Sequence, residues 1–308
     1  MAKILVTGGA GFIGSNLVDK LILLGYQVVV VDNLLTGSLN NLNKKAIFYE
    51  IDITNFHPLE EIFVKEKPEY VFHLAAGYLV QSLQNPVRDA QINIIGTINL
   101  ILLCLKYKVK RIVYSNSGGA SYGEPIKIPI DEEHPIHPLT PYGASKYTAE
   151  MYLYMYHKNH GLDYIALRYA NIYGPRQDPK LEGGVISIFI NAILKNKQPT
   201  IFGNGSNTRD YCYVEDVVNA NIATMAKGKA GSYYNIATGR ETSVLQVFGL
   251  IKKELKSEAS PFFAEPRVGD CMRAVFDNSK IFKELGWKPM FSIEEGIKKT
   301  IDWQKNNY

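Results

Sequence analysis

Hydrophobic residues in the first part of the chain follow two rhythms. Ile4 to Val6 and Val28 to Val31 are short unbroken apolar runs bounded by turn residues, as in a strand buried on both faces. Between them, Ser15 to Leu24 carries apolar residues at helical spacing, and Gly25 supplies the stop. The pattern predicts strand, turn, helix and strand, with Thr7 to Gly14 as the turn and Asp32 at the tip of the second strand, Gln27 to Val31. Further strands are predicted at Ala46 to Ile51, Tyr70 to Leu74, Arg111 to Asn116 and Tyr164 to Tyr169, with helices between them. That alternation predicts an α/β fold with a doubly wound parallel sheet. After Asn171 the rhythm breaks: "NIYGPRQDPKLEGG" and "FGNGSNTRDY" separate shorter helical stretches, as in a smaller lobe built from loops around a site. Two domains are expected, 1–170 and 171–308, with part of 210–240 packing back on the first.

Composition adds exclusions. The 308 residues are 46% hydrophobic and 21% charged, as in a globular protein with an ample core. The formal charge of +4 is spread along the chain without a long basic run. Nucleic acid is therefore not an expected partner, although an anionic small substrate suits the balance. Cys104, Cys212 and Cys271 are widely separated and odd in number, which predicts buried thiols rather than disulfides or a metal site. No apolar run approaches the length of a membrane span, so the expectation is a cytoplasmic protein with no membrane partner.

The turn carries the first candidate chemistry. Gly9, Gly11 and Gly14 fit G-x-G-x-x-G, and Gly8, Gly11 and Gly14 fit G-x-x-G-x-x-G. Either set lets backbone N–H groups at a helix N-terminus approach a pyrophosphate. Asp32 follows at the distance at which a carboxylate accepts the ribose hydroxyls of an adenosine, and it would repel a 2′-phosphate. The expected cofactor is NAD.

A second site is predicted on a helix from Pro141 to Gly161, where Tyr142 and Lys146 stand one turn apart on one face. A free phenol has a pKa of about 10, so a base near neutrality needs a depression of about 3 units, or about 4 kcal/mol. One positive charge about 5 Å away supplies roughly 3 kcal/mol. Lys146 and a nicotinamide cation together would suffice. Tyr147, Tyr152, Tyr154 and Tyr156 on the same helix read as core or subunit packing.

The motifs "TGGAGFIG", "HLAA" at 73–76, "YSNSGGASYG" at 114–123, "YGASK" at 142–146 and "LRYANIYGPRQDP" at 167–179, in this order, resemble the extended short-chain dehydrogenases/reductases with a Rossmann domain. More narrowly they are similar to the UDP-glucose (UDP-galactose) 4-epimerases. The resemblance implies Tyr142 as acid and base, Lys146 as the ribose-binding group that lowers its pKa, and Ser117 as the partner of the sugar O4. It implies cofactor contacts from Gly8, Gly11, Phe12, Ile13, Gly14, Asp32, Asn33, Thr36, Gly37, Asp52, Ile53, Leu74, Ala75, Ala76, Asn93 and Tyr169. The nucleotide sugar would meet Asn171, Gly184, Val185, Thr200, Ile201, Phe202, Arg209, Tyr211, Arg267 and Asp270. Ala274, a small residue where some relatives have Tyr, would leave room for an N-acetyl group.

The resemblance also separates reactions. Dehydratases of this family carry an Asp-Glu pair after the catalytic hydroxyl residue, and the decarboxylases a Glu. Here Gly118 and Gly119 follow Ser117, which leaves a 4-keto sugar only its hydride to recover. A UDP-glucuronate 4-epimerase is the alternative within enzymes, and a catalytically silent NAD-binding regulator the alternative outside them. The segment "HLAAGYLVQSLQNP" departs from the family by Gly77 in place of Gln and by one residue fewer before Pro86. Asn116 in place of Ser and Ser121 in place of an aliphatic residue are milder departures. Relatives commonly pair through a four-helix bundle, so a homodimer is expected.

Overall fold

The computed structural model describes residues 2–181, 184–266 and 271–307. Six strands follow in order: β1 (Lys3–Thr7), β2 (Gln27–Asp32), β3 (Ile47–Glu50), β4 (Tyr70–His73), β5 (Arg111–Ser117) and β6 (Tyr164–Tyr169). A later strand, Ser232–Ile236, completes a seven-stranded sheet in the order Ser232–Ile236, β6, β5, β4, β1, β2, β3. Every pairing is parallel. The chain runs outward through β1, β2 and β3, then returns to place β4 on the other side of β1. That reversal opens a crevice at the carboxyl ends of β1 and β4, where doubly wound sheets bind ligands.

Period-two alternation decides which face each strand residue covers. Ile4, Val6, Val28 and Val30 point to one side, where they pack with Leu17 and Val18 of α1 (Phe12–Leu23). Leu5, Val29 and Val31 point to the other, against Leu59 and Phe63 of α2 (Phe56–Glu66) and Leu100, Ala149 and Leu153 of two later helices. Each such side chain, fully buried, contributes about 1.5–3 kcal/mol. The later helices are Gly96–Lys106 and the long Pro141–His160. The latter starts as predicted, with Pro141 in its first turn and Thr140 Oγ1 accepting from Gly143 N at 3.1 Å, and it stops at Gly161 with φ +71°.

Residues Pro86–Lys106 run as one continuous helix with a π-helical turn at Gln91–Ile95. By length and composition alone it is long and apolar enough to cross a membrane, although Arg88, Asp89, Gln91 and Asn93 interrupt its apolar run. Over half of its most apolar 18-residue stretch, 56%, is buried against the protein.

Beyond β6 a second core forms around Tyr173, Ile190, Phe189, Val247, Ile251 and Ile297. The chain then returns: helix Val214–Lys227 buries Val217 and Val218 with α1, and Ser232–Ile236 pairs with β6.

Candidate active site

A cavity of about 350 Å³ lies at the carboxyl ends of the central strands. Its near end is the glycine turn. Gly8, at φ +71°, donates its N–H to Val31 O at 2.8 Å and packs so closely that a Cβ would lie 2.7 Å from Ala75 N. A Cβ on Gly14 would lie 2.1 Å from Gly8 O, so these two positions cannot carry a side chain without moving backbone. Gly8, Gly11 and Gly14 line the cavity, whereas Gly9 packs on Val30 of β2. The G-x-x-G-x-x-G set is therefore the one facing a ligand. Gly11 is the N-cap of α1, and no side chain caps that helix, which leaves a helix N-terminus directed at the cavity beside Phe12 and Ile13.

Asp32 stands where predicted, at the tip of β2 on the cavity wall. Ala10 N donates to Oδ2 at 3.0 Å and Leu34 N to Oδ1 at 2.9 Å, which fixes the carboxylate and leaves each oxygen a further lone pair. Burial raises its pKa, and those two backbone donors oppose the rise. A second anion beside it would be costly, so the site fits NAD better than a 2′-phosphorylated dinucleotide. Gly37 sits behind Asp32 rather than on the cavity, where a Cβ would come within 2.8 Å of Oδ1. Asn33, Thr36, Asp52, Ile53, Leu74, Ala75 and Ala76 all line the wall. Asp52 is held by Thr54 N at 2.9 Å, by Asn33 Nδ2 at 3.0 Å and by Arg88, so its carboxylate braces the wall.

The far end holds Ser117, Tyr142, Lys146 and Tyr169 together. Ser117 ends β5 and caps the short helix Gly118–Ser121, its Oγ accepting from Ala120 N at 3.3 Å, which leaves its proton to donate. Tyr142 N donates to Ser82 Oγ at 3.2 Å, a partner from the departing 77–86 segment that sequence reasoning did not name. Tyr169 donates to Asn221 Oδ1 at 3.1 Å. Behind Ser117, Asn116 Oδ1 accepts from Ser117 N at 2.7 Å while its Nδ2 donates to Glu150, which pairs with Arg168. His73 is neutral. Thr97 Oγ1 gives its proton to Asn93 O at 2.6 Å and so accepts from His73 Nε2, and burial with the nearby Lys146 charge holds the imidazole pKa well down.

One expectation needs correction. The protein's own groups do not lower the Tyr142 phenol. Burial, with the negative charge of Asp89, raises it to about 12. Burial also pulls the Lys146 ammonium down to about 7, against the opposing pull of Asp89 and Glu150. Sequence arithmetic counted the attraction of a cation and omitted the desolvation of both groups.

Asn93 is a second correction, since it lies one layer behind the wall and supports Gly77 N at 3.0 Å. Among the described residues, none of those expected around the nucleotide lines this cavity. Asn171 opens the strand Asn171–Tyr173 and adjoins it, because Ala170 and Ile172 are on its wall. Gly184 and Val185 begin the helix Val185–Leu194. Ile201, in the strand Thr200–Phe202, and Tyr211 are buried in the second core. Arg209 Nη1 donates to Thr208 O at 2.8 Å. Ala274 packs with Tyr122, Ile130 and Phe276 in a separate apolar cluster. Arg267 and Asp270 lie outside the described residues.

This geometry agrees with comparisons to known proteins. The sequence profile of the NAD dependent epimerase/dehydratase family matches residues 4–237. The UDP-glucose 4-epimerase of Thermotoga maritima, solved with UDP-glucose, is 48% identical with a TM-score of 0.97, over 99% of each chain. The UDP-glucose 4-epimerase of Thermus thermophilus, solved with NAD, is 37% identical with a TM-score of 0.93, over 99% of this chain and 100% of that one. A UDP-N-acetylglucosamine 4-epimerase of Methanobrevibacter ruminantium, solved with UDP-N-acetylmuramic acid, is 34% identical with a TM-score of 0.94, over 100% of this chain and 99% of that one. With that profile covering most of its length and relatives of this identity over their whole length, the chain belongs to the NAD dependent epimerase/dehydratase family.

Proposed function

We propose that the protein is an NAD-dependent 4-epimerase of UDP-hexoses, interconverting UDP-galactose and UDP-glucose through a 4-keto sugar. The carrying observation concerns the cavity wall. Its only carboxylates among the described residues are Asp32 and Asp52, both at the β2 and β3 end. Among the described residues, Ser117, Tyr142 and Lys146 at the β5 end have no acidic neighbour on the wall, as suits a reaction that needs no second proton donor or acceptor.

When bound, NAD supplies a reversible hydride acceptor. Tyr142 takes the O4 proton and returns it after the sugar has turned over, and Ser117 donates a hydrogen bond to O4. Lys146 holds the cofactor ribose and contributes its charge. The glycine turn and Asp32 hold the dinucleotide, while residues 171–308, with Asn171, Arg209, Arg267 and Asp270, receive the nucleoside diphosphate. Tolerance of UDP-N-acetylhexosamines is proposed from the small side chain at Ala274 and from the breadth of the relatives. Anomeric-proton NMR on UDP-galactose without added cofactor tests this reading. Appearance of UDP-glucose is expected, and silence even after addition of NAD would overturn it.

The protein is further proposed to work as a cytoplasmic homodimer. Cys104 and Cys212 are buried free thiols, as suits a reducing compartment. Leu83, Val87, Ile95 and Leu102 on one helical layer, and Met151 and Met155 on the long helix beside it, leave large apolar side chains exposed. Leu102→Glu with Met155→Glu should halve the mass read by light scattering. A wild-type protein already of monomer mass would refute the pairing.

A further inference from the structure

Asp89 is a buried carboxylate for which the chemistry above has no use. It lies on the helical stretch Pro86–Ala90 and is 4% exposed. Ser145 Oγ donates to its Oδ2 at 2.5 Å and Asn93 Nδ2 to its Oδ1 at 2.9 Å. Asn93 stands in the π-helical turn, an irregularity that recurs at functional sites, and its Oδ1 accepts from Gly77 N. Gly77 completes the seat, since a Cβ there would lie 3.0 Å from Asp89 Oδ1. The unusual glycine of the 77–86 segment thus makes room for this carboxylate.

Ser145 directly precedes Lys146, whose ammonium is 2% exposed and stacks 4.3 Å from the Tyr114 ring centroid. The charged and titratable groups facing Lys146 are Tyr142 and Glu150 on its own helix, Asp89, His73 at the end of β4, and Tyr114 on β5. His73 is neutral, and Glu150 is committed to Arg168, which reaches it through both Nη2 and Nε. Asp89 has only neutral hydrogen-bond donors; burial raises its pKa, and Ser145, the Lys146 charge and Asn93 oppose the rise.

We propose that Asp89 is a positioning residue for catalysis, a counter-charge for the buried Lys146 ammonium, seated by Ser145, Asn93 and Gly77 on the helix layer behind the cavity wall. The inference rests on the epimerase reading of Tyr142 and Lys146. Asp89 opposes the loss of the Lys146 proton and also opposes ionisation of Tyr142, so removing its charge must move both groups in the acid direction.

Asp89→Asn preserves the shape of the seat and removes the charge. In protein labelled at lysine Cε, the Lys146 NMR titration midpoint should fall from about 7 by about one unit. Both limbs of the epimerisation pH profile should shift to lower pH, with KM for the sugar nucleotide little changed. Gly77→Ala, which pushes on the carboxylate from the other side, should shift the midpoint the same way by less, and it carries the test if Asp89→Asn does not fold. An unmoved midpoint in the variants, or a kcat lowered equally at every pH, would overturn the role of Asp89. A wild-type protein without epimerase activity would instead overturn the reading of the site, so the two failures are distinguishable.

Discussion

Tyr142→Phe should slow the interconversion of UDP-galactose and UDP-glucose by on the order of 10²–10⁴-fold, the usual worth of a positioned proton-transfer group. The ring keeps its buried slot and only the hydroxyl is lost, so bound NAD and KM should change little, which marks an interaction made in the transition state. The size of the effect follows from how strongly the fold resists ionising this phenol. At about 12, its pKa lies about five units above neutrality, or about 7 kcal/mol. A group so reluctant to lose its proton can act as a base only when positive charge is placed beside it. It then returns that proton readily, as a reversible reaction requires. Activity within about tenfold of wild type would show that another group moves the proton.

Glu150→Ala should destabilise the protein by about 3–5 kcal/mol, because it leaves the Arg168 guanidinium buried without its counter-ion. Glu150 and Arg168 are 6% and 5% exposed, and Arg168 also donates to Tyr122 Oη at 2.9 Å and to Glu132 O at 3.1 Å, between the rings of Tyr122 and Tyr233. The matched double substitution Glu150→Leu with Arg168→Met should recover much of that loss, since an apolar pair of similar volume needs no solvation. Thermal unfolding of the three proteins checks this. A Glu150→Ala protein as stable as wild type would mean that water reaches Arg168.

Which features were legible in the sequence follows from which ones are local. The first strand, turn, helix and second strand were readable because apolar spacing and glycines at fixed offsets act over a few residues. Strand β6 has the predicted bounds, Tyr164–Tyr169, and α1 begins at Phe12, a little earlier than the apolar pattern indicates. Tyr142, Lys146, Ser117 and Asp32 were findable because their motif neighbours place them, and the cavity brings all four to its wall. Ser82, Asp89, Glu150 and Arg168 were not, because a charged or polar residue in a helix or strand reads as a solvated one until its tertiary neighbours are known. The packing of Ile201, Tyr211 and Ala274 was hidden for the same reason: their motif neighbours were legible, but the core they help fill was not.

The strand Ser232–Ile236 has a consequence for synthesis of the chain. Among the described residues it is the one partner of β6 on that side of the sheet, and all six residues of β6 are buried. Roughly 60 residues separate the two, so at ordinary translation rates β6 waits several seconds for its neighbour. During that interval an apolar strand with unpaired N–H and C=O groups is open to the wrong partner. The ribosome-bound first half must therefore be shielded or kept from closing until its late strand arrives.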